Sequence, residues 1–269
     1  MRSILLLILP FLGFSQVSYT TIQLAKDLIE TSGLEVYGEN LITHNDSGDK
    51  SKLYVFNPKG KLIKSVRFHD IKNKDWEDIA ADEDHYYIAD TGNNSGNRKN
   101  LIIYILTKEL IVKGEISISY SAQKDFTKRA LNSFDAEALT VVGDSLVLFS
   151  KNRLTQQSEL YTFPKKAGDY VLSPSAILKV ESLITAADYN QTHDLLALTG
   201  YNFKEEQFFY TVSNFIKNGW NSIALKKYLI PIEKAQIEAV KIQDVSNFWL
   251  TSEGEKNGFA RLIDLKVTQ

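Results

Sequence analysis

The sequence predicts an all-β fold, a five-bladed β-propeller, from three observations. One short pattern recurs five times, each copy carries the same order of short strands, and the strand that the last copy lacks stands at the start of the chain.

The pattern is an acidic or small polar residue followed by small or apolar ones. Its copies open at Ser32-Gly33-Leu34, Glu77-Asp78-Ile79, Glu137-Ala138-Leu139, Thr185-Ala186-Ala187 and Glu238-Ala239-Val240. A second β-rich stretch follows each copy, at Asn40 to Thr43, Tyr86 to Ala89, Leu146 to Phe149, Leu195 to Leu198 and Phe248 to Thr251. From Ser32 to Asn45, Glu77 to Asp90 and Glu137 to Ser150 the separation is 13 residues. Third strands are expected at Leu53 to Phe56, Ile102 to Leu106, Glu159 to Phe163, Phe208 to Val212 and Arg261 to Leu265, with the markers Leu53, Ile102, Leu160, Phe209 and Leu262 spaced 49, 58, 49 and 53 residues apart. Fourth strands are expected at Ile63 to Phe68, Ile116 to Ser121, Ala176 to Val180 and Ile223 to Leu229. The fifth copy runs out of chain, and Thr20 to Leu28 supplies its missing strand from the other end. A β-sandwich would not repeat this order of elements. Helix is scarce, because even Glu205 to Asn218, the best candidate, carries a Phe208-Phe209 pair and β-branched residues that suit a strand.

Residues 1–15 read as a signal peptide. Arg2 gives a positive start, Ile4 to Phe14 form an apolar run too short to span a bilayer, and Gly13-Phe14-Ser15 places small residues where a signal peptidase reads. An exported chain, periplasmic or extracellular, is therefore expected, with residues 16–269 forming one domain. No cysteine is present, which excludes disulfides and a lipidated cysteine anchor. Lys+Arg 31 against Asp+Glu 33 gives a net charge of −2, so no concentrated basic surface draws nucleic acid or anionic membrane. No second apolar run approaches the length of a membrane span, and a monomer is expected.

Equivalent positions of a propeller's innermost strands converge on its axis. Here that position holds Glu77, Glu137 and Glu238, with Ser32 and Thr185 in the other two copies. Gathered carboxylates repel unless protons, basic partners or a cation offset them, and a divalent cation is the simplest answer. Oxygen ligands favour calcium, then magnesium, and the dispersed histidines His44, His69, His85 and His193 argue against zinc. Asp75, Asp135 and Asp188 flank the motif as a candidate outer layer. The loops leaving the second strands, Thr43 to Asp49, Asp90 to Asn94, Ser150 to Arg153 and Thr251 to Gly254, belong at the face where the inner strands begin. Asn45, Asp46, Asp90 and Lys151 would rim the same mouth as the glutamates. Taken singly, these loop residues are also what Asx turns require. Trp76 is expected to pack between blades. Asn45, Asn93 and Asn190 stand in glycosylation sequons, whereas a G-x-S-x-G elbow, a P-loop and a dinucleotide fingerprint are absent.

Thr43-His44-Asn45-Asp46-Ser47-Gly48-Asp49, Asp75-Trp76-Glu77-Asp78-Ile79-Ala80, Ala89-Asp90-Thr91-Gly92-Asn93-Asn94 with Arg98, and Glu137-Ala138-Leu139 carry a resemblance. In these segments, which span the first three repeats, the chain resembles secreted bacterial propellers of the SdiA-regulated and esterase-like phytase families, and more distantly gluconolactonase-type propellers. The resemblance implies an axial, often metal-binding site and, in some relatives, ester or lactone hydrolysis. Those families are six-bladed, which makes six blades the alternative to the five repeats counted here.

Two functions follow as expectations. The first is an envelope or extracellular binding protein that holds a small molecule, glycan or protein at its mouth over a structural cation. The second is a metal-assisted hydrolase of phosphate esters, lactones or other esters. In that case Glu77, Glu137 and Glu238 hold the cation, Asp46 or Asp90 acts as general base, and Lys151 or Arg153 stabilises the developing anion.

Overall fold

The computed structural model describes residues 16–46, 48–220, 223–233, 235–254 and 258–268. The expected signal peptide lies outside them. Five small sheets form a ring, so the five-bladed expectation holds and the six-bladed alternative does not.

Strand β1 (Gln16–Gln23) pairs antiparallel with the last strand, closing the ring as expected but several residues earlier than Thr20 to Leu28. Leu24 and Leu28 do not extend that strand; they turn inward and are buried between the first and last blades. Blade one is β2 (Thr31–Tyr37), β3 (Asn40–Asn45), β4 (Lys52–Phe56) and β5 (Leu62–Arg67). Blade two is β6 (Asp78–Ala81), β7 (His85–Asp90), β8 (Leu101–Thr107) and β9 (Val112–Tyr120). Blade three begins with β10 (Ala136–Val142), β11 (Ser145–Ser150) and β12 (Ser158–Pro164). The chain then detours: β13 (Gly168–Leu172) adds to blade two as a fifth strand parallel to β9, before β14 (Ala176–Leu178) returns to complete blade three. Blade four is β15 (Leu183–Asn190), β16 (Leu195–Tyr201), β17 (Gln207–Ser213) and β18 (Lys226–Ile230), with a short helix α1 (Phe215–Asn218) between the last two. Blade five is β19 (Ile237–Ile242), β20 (Asn247–Ser252) and β21 (Arg261–Thr268), with β1 outermost.

Each pair of neighbouring blades encloses an apolar cluster, so the core is a set of wedges around the ring. Between blades one and two, Trp76 is fully buried and meets Phe68 and Tyr104, its indole N–H donating to Lys72 O. Trp76 is thus the packed ring expected. His44 joins this wedge edge-on to Trp76 at 5.6 Å, and burial pushes its pKa down to about 4. It faces the core, although its sequence neighbours line the mouth.

The innermost strands share a defect that orients the site. Pairing slips by one residue at Glu137 in β10, Thr185 in β15 and Glu238 in β19, and a related irregularity spans Ser32 to Glu35 in β2. In blade two the N–H groups and register place both Glu77 and Asp78 opposite Ala89. Such bulges bend a strand and re-aim one side chain. Gly33, at φ +68°, lies in the blade-one irregularity, where an added Cβ would stand 2.5 Å from the Ile79 nitrogen. Only glycine permits that close approach of neighbouring inner strands.

Candidate functional site

The mouth is built by one repeated backbone bond. The residue leaving the second strand donates its N–H to the residue two before the bulge: Asp46 to Glu30 O, Gly92 to Asp75 O, Lys151 to Asp135 O and Glu253 to Gln236 O. Each mouth loop is thereby pinned beside the start of its inner strand, which brings Asp46, Asp90 and Lys151 to the glutamate end of the axis.

Hydroxyl groups fasten the blades here. Ser32 donates to Glu77 O, Thr91 to Ala136 O and Thr185 to Ile237 O, while Thr31 meets Thr251 across the closing junction. The two positions without a glutamate, Ser32 and Thr185, therefore act as inter-blade ties.

The carboxylates divide into two overlapping groups that share Glu77. Oxygens of Asp46, Asp75 and Glu77 lie within 4.8 Å of one another, and so do oxygens of Glu77, Asp135 and Glu137; either group could hold a metal ion. Their surroundings differ. Lys151 donates to Glu137, and Arg153 lies 3.1 Å from Asp135 and 3.7 Å from Glu137. Glu137 and Glu238 hold the buried Lys151 ammonium protonated against the cost of its desolvation. Asp135 also accepts the Asn93 N–H at 2.6 Å. Glu77, by contrast, is 4% exposed and its Oε1 has no hydrogen-bond partner among the described residues. Burial, followed by the charges of Glu137, Asp46, Asp75 and Asp135, pushes its pKa well above the carboxylate range.

Gly92 presses on this atom from the side. A Cβ there would stand 1.9 Å from Glu77 Oε1 and 2.5 Å from the Asp75 carboxyl, so the absence of a side chain makes room for both acids. Asp90 is fully buried, pairs with Arg98 at 2.7 Å and accepts the Asp75 N–H. Burial raises its pKa, although Arg98 opposes the shift.

Glu238 belongs to neither group: Gln236 donates to it, and the Lys151 charge faces it. Glu77, Glu137 and Glu238 thus do not form one metal-ligating group among the described residues: Lys151 is bound to Glu137, and its charge acts on Glu238. Asp188 is also elsewhere. It lies three residues beyond the Thr185 bulge, about 10 Å along the strand. There it meets Lys241 at 2.9 Å and accepts the Ile242 N–H, with Glu35 2.6 Å from the same ammonium.

Sequence reasoning passes over three residues of this region. Glu253 reaches the mouth half-buried, and desolvation plus the charges of Glu238, Asp46 and Glu30 push its pKa to about 8. Its place at the end of β20, equivalent to Asp46 and Lys151, is the signal for it. Lys241 stands three residues after Glu238, and Asp78 directly follows Glu77; the repeat alignment contains both positions. A separate cleft of about 600 Å³ opens at the opposite face between blades three and four, lined in part by Val142, Tyr189, Asp194 and Trp220. Of the three sequons, Asn45 and Asn93 are buried and donate side-chain hydrogen bonds, whereas Asn190 is half-buried.

No family model matches the chain, and no curated protein matches it. Several solved structures are similar to it. A glucose dehydrogenase superposes with a TM-score of 0.52 at 9% identity, covering 91% of this chain and 98% of that one. A mitotic checkpoint complex structure gives 0.48 at 9% identity over 91% of this chain and 80% of that one. A protein of unknown function from Bacteroides caccae gives 0.47 at 8% identity over 85% and 73%. At 9% identity the likeness to the first of these is one of fold alone.

Proposed function

We propose that the protein is an exported propeller that binds a divalent cation, calcium before magnesium, on Asp46, Asp75 and Glu77, and uses this mouth to hold a ligand. One observation carries the reading: a buried carboxylate oxygen of Glu77 with no partner, inside a group of carboxylates. A buried polar atom left unpaired costs about 1–3 kcal/mol, and more when charged, so a bound cation would relieve it. Oxygens no more than 4.8 Å from one another can surround an ion that sits about 2.4 Å from each, which is calcium's range, and calcium tolerates irregular geometry. The group Glu77, Asp135 and Glu137 is less suited, because Lys151 and Arg153 already neutralise it.

The geometry supports binding over hydrolysis. Asp90 is paired with Arg98, Lys151 with Glu137 and Arg153 with Asp135, and Asp46 stands in the cation group, so three of the four groups a hydrolase would use as base or anion stabiliser are held in ion pairs and the fourth would be a metal ligand. The test is a calcium titration of chelator-treated protein, followed by thermal unfolding and calorimetry. At a hundredfold excess over Kd, calcium should add about 2.7 kcal/mol of stability, and Glu77→Gln should remove the gain. No shift in the unmodified protein would refute the reading. Export is checked by comparing the location of the full chain with that of a chain lacking residues 2–15.

A further inference from the structure

Two lysines show how this fold neutralises carboxylates brought together from different blades. Lys151, from blade three, donates to Glu137 and faces Glu238 of blade five, with the Tyr201 ring 5.0 Å from its nitrogen. Lys241, from blade five, bridges Glu35 of blade one and Asp188 of blade four. In both places an ammonium does what a metal ion would otherwise do. The third acidic group differs: Arg98 acts on Asp75 from its pair with Asp90 and Asn94 hydrogen-bonds Asp75, but among the described residues no lysine forms an ion pair with Asp75 or Glu77, and Glu77 Oε1 is buried and unpartnered.

We propose that Asp46, Asp75 and Glu77 receive the protonated primary amine of a ligand, supplying from outside the ammonium that Lys151 and Lys241 supply from within. The proposal rests on the cation-binding reading of these carboxylates above and names an organic cation that competes with the metal ion for them. An ammonium directs three N–H donors at tetrahedral angles. Acceptors about 2.8 Å from its nitrogen then stand about 4.6 Å apart, a spacing typical of charge-assisted hydrogen bonds. The three carboxylates admit this spacing, since each can offer an oxygen no more than 4.8 Å from the others. Glu77 is deep while Asp46 and Asp75 are half-buried, so an amine enters head first and leaves its carbon chain at the mouth. The surrounding surplus of carboxyl groups draws cations and repels phosphates and carboxylates. A quaternary ammonium, with no N–H to donate and a wider head, is excluded by the same geometry.

The experiment uses the full chain freed of divalent ions and titrates it calorimetrically with 1,5-diaminopentane, tetramethylammonium and calcium. The diamine should bind, tetramethylammonium should not, and diamine at ten times its own Kd should weaken apparent calcium affinity about elevenfold by simple competition. Glu77→Gln and Asp46→Asn should each lose diamine binding while retaining the native thermal transition. If calcium binds but the diamine neither binds nor competes, the amine proposal falls and the cation reading stands. If neither binds, both fall. Diamine binding that survives in both variants places it elsewhere and overturns the proposal.

Discussion

The carboxylate of Asp78 in blade two accepts the backbone N–H of Leu139 in blade three at 2.8 Å, and the same oxygen reaches the N–H of Ala187 in blade four at 3.3 Å. Its other oxygen accepts the Ile79 N–H. Innermost strands present an unpaired edge to the axis, and one carboxylate here satisfies two of these edges beyond its own. Burial raises the pKa of Asp78, and its three backbone donors pull the other way. Asp78→Asn turns an N–H donor toward N–H donors and should cost about 2–4 kcal/mol, from hydrogen bonds to a charged group and the groups left unpaired. Urea unfolding of the variant measures this, and a cost near zero would show that Asp78 does not tie the three blades.

Gly92→Ala should damage the cation site while leaving the fold in place. The new methyl would meet Glu77 Oε1 and the Asp75 carboxyl well inside contact distance. Calcium affinity should fall roughly 10- to 100-fold, the range for disturbing the support of a metal ligand. Calorimetry beside a thermal melt separates the two effects, and unchanged affinity would place the cation away from Glu77.

Lys151→Met leaves Glu137 and Glu238 buried without their ammonium, which should destabilise the protein by about 3–5 kcal/mol. The double variant Lys151→Met with Glu137→Gln should recover part of the loss, because it removes one of the stranded charges. Equal losses in the single and double variants would show that Lys151 acts through packing alone.

Stability should fall as pH rises in the cation-free protein. The folded-state pKa of Glu253 is about 8 against an ordinary 4.5, and that of Glu77 is also raised. The folded state therefore holds protons that the unfolded chain has released, so the Glu253 contribution is complete below about pH 4.5 and is lost as pH rises through about 8, and Glu77 acts in the same direction. Thermal melts from pH 5 to 9 should slope downward in chelator and flatten in calcium, and Glu253→Gln should remove part of the slope. An upward slope would contradict the environment assigned to Glu253.

The ring is legible in the sequence because its repeats are local. The bulge residues Glu77, Glu137 and Glu238 recur at matched spacing from the loops that follow them, and that spacing alone places Asp46, Asp90 and Lys151 beside them. The distribution of charge around the axis is less legible, since it depends on side-chain reach across the ring. Lys151 extends toward Glu238 from two blades away, and Lys241 removes Asp188 from the glutamate layer. Strand β13 also escapes a reading by repeat, because it belongs by sequence to one blade and by pairing to its neighbour.

The pairing of Gln16–Gln23 with Arg261–Thr268 sets the order in which this molecule can mature. As the chain is made, β1 must wait, unmatched, until β21 follows it, so the ring cannot close before the strands of all five blades are present. A chain released short of β21 would leave β1 an open edge, exposed to neighbouring copies.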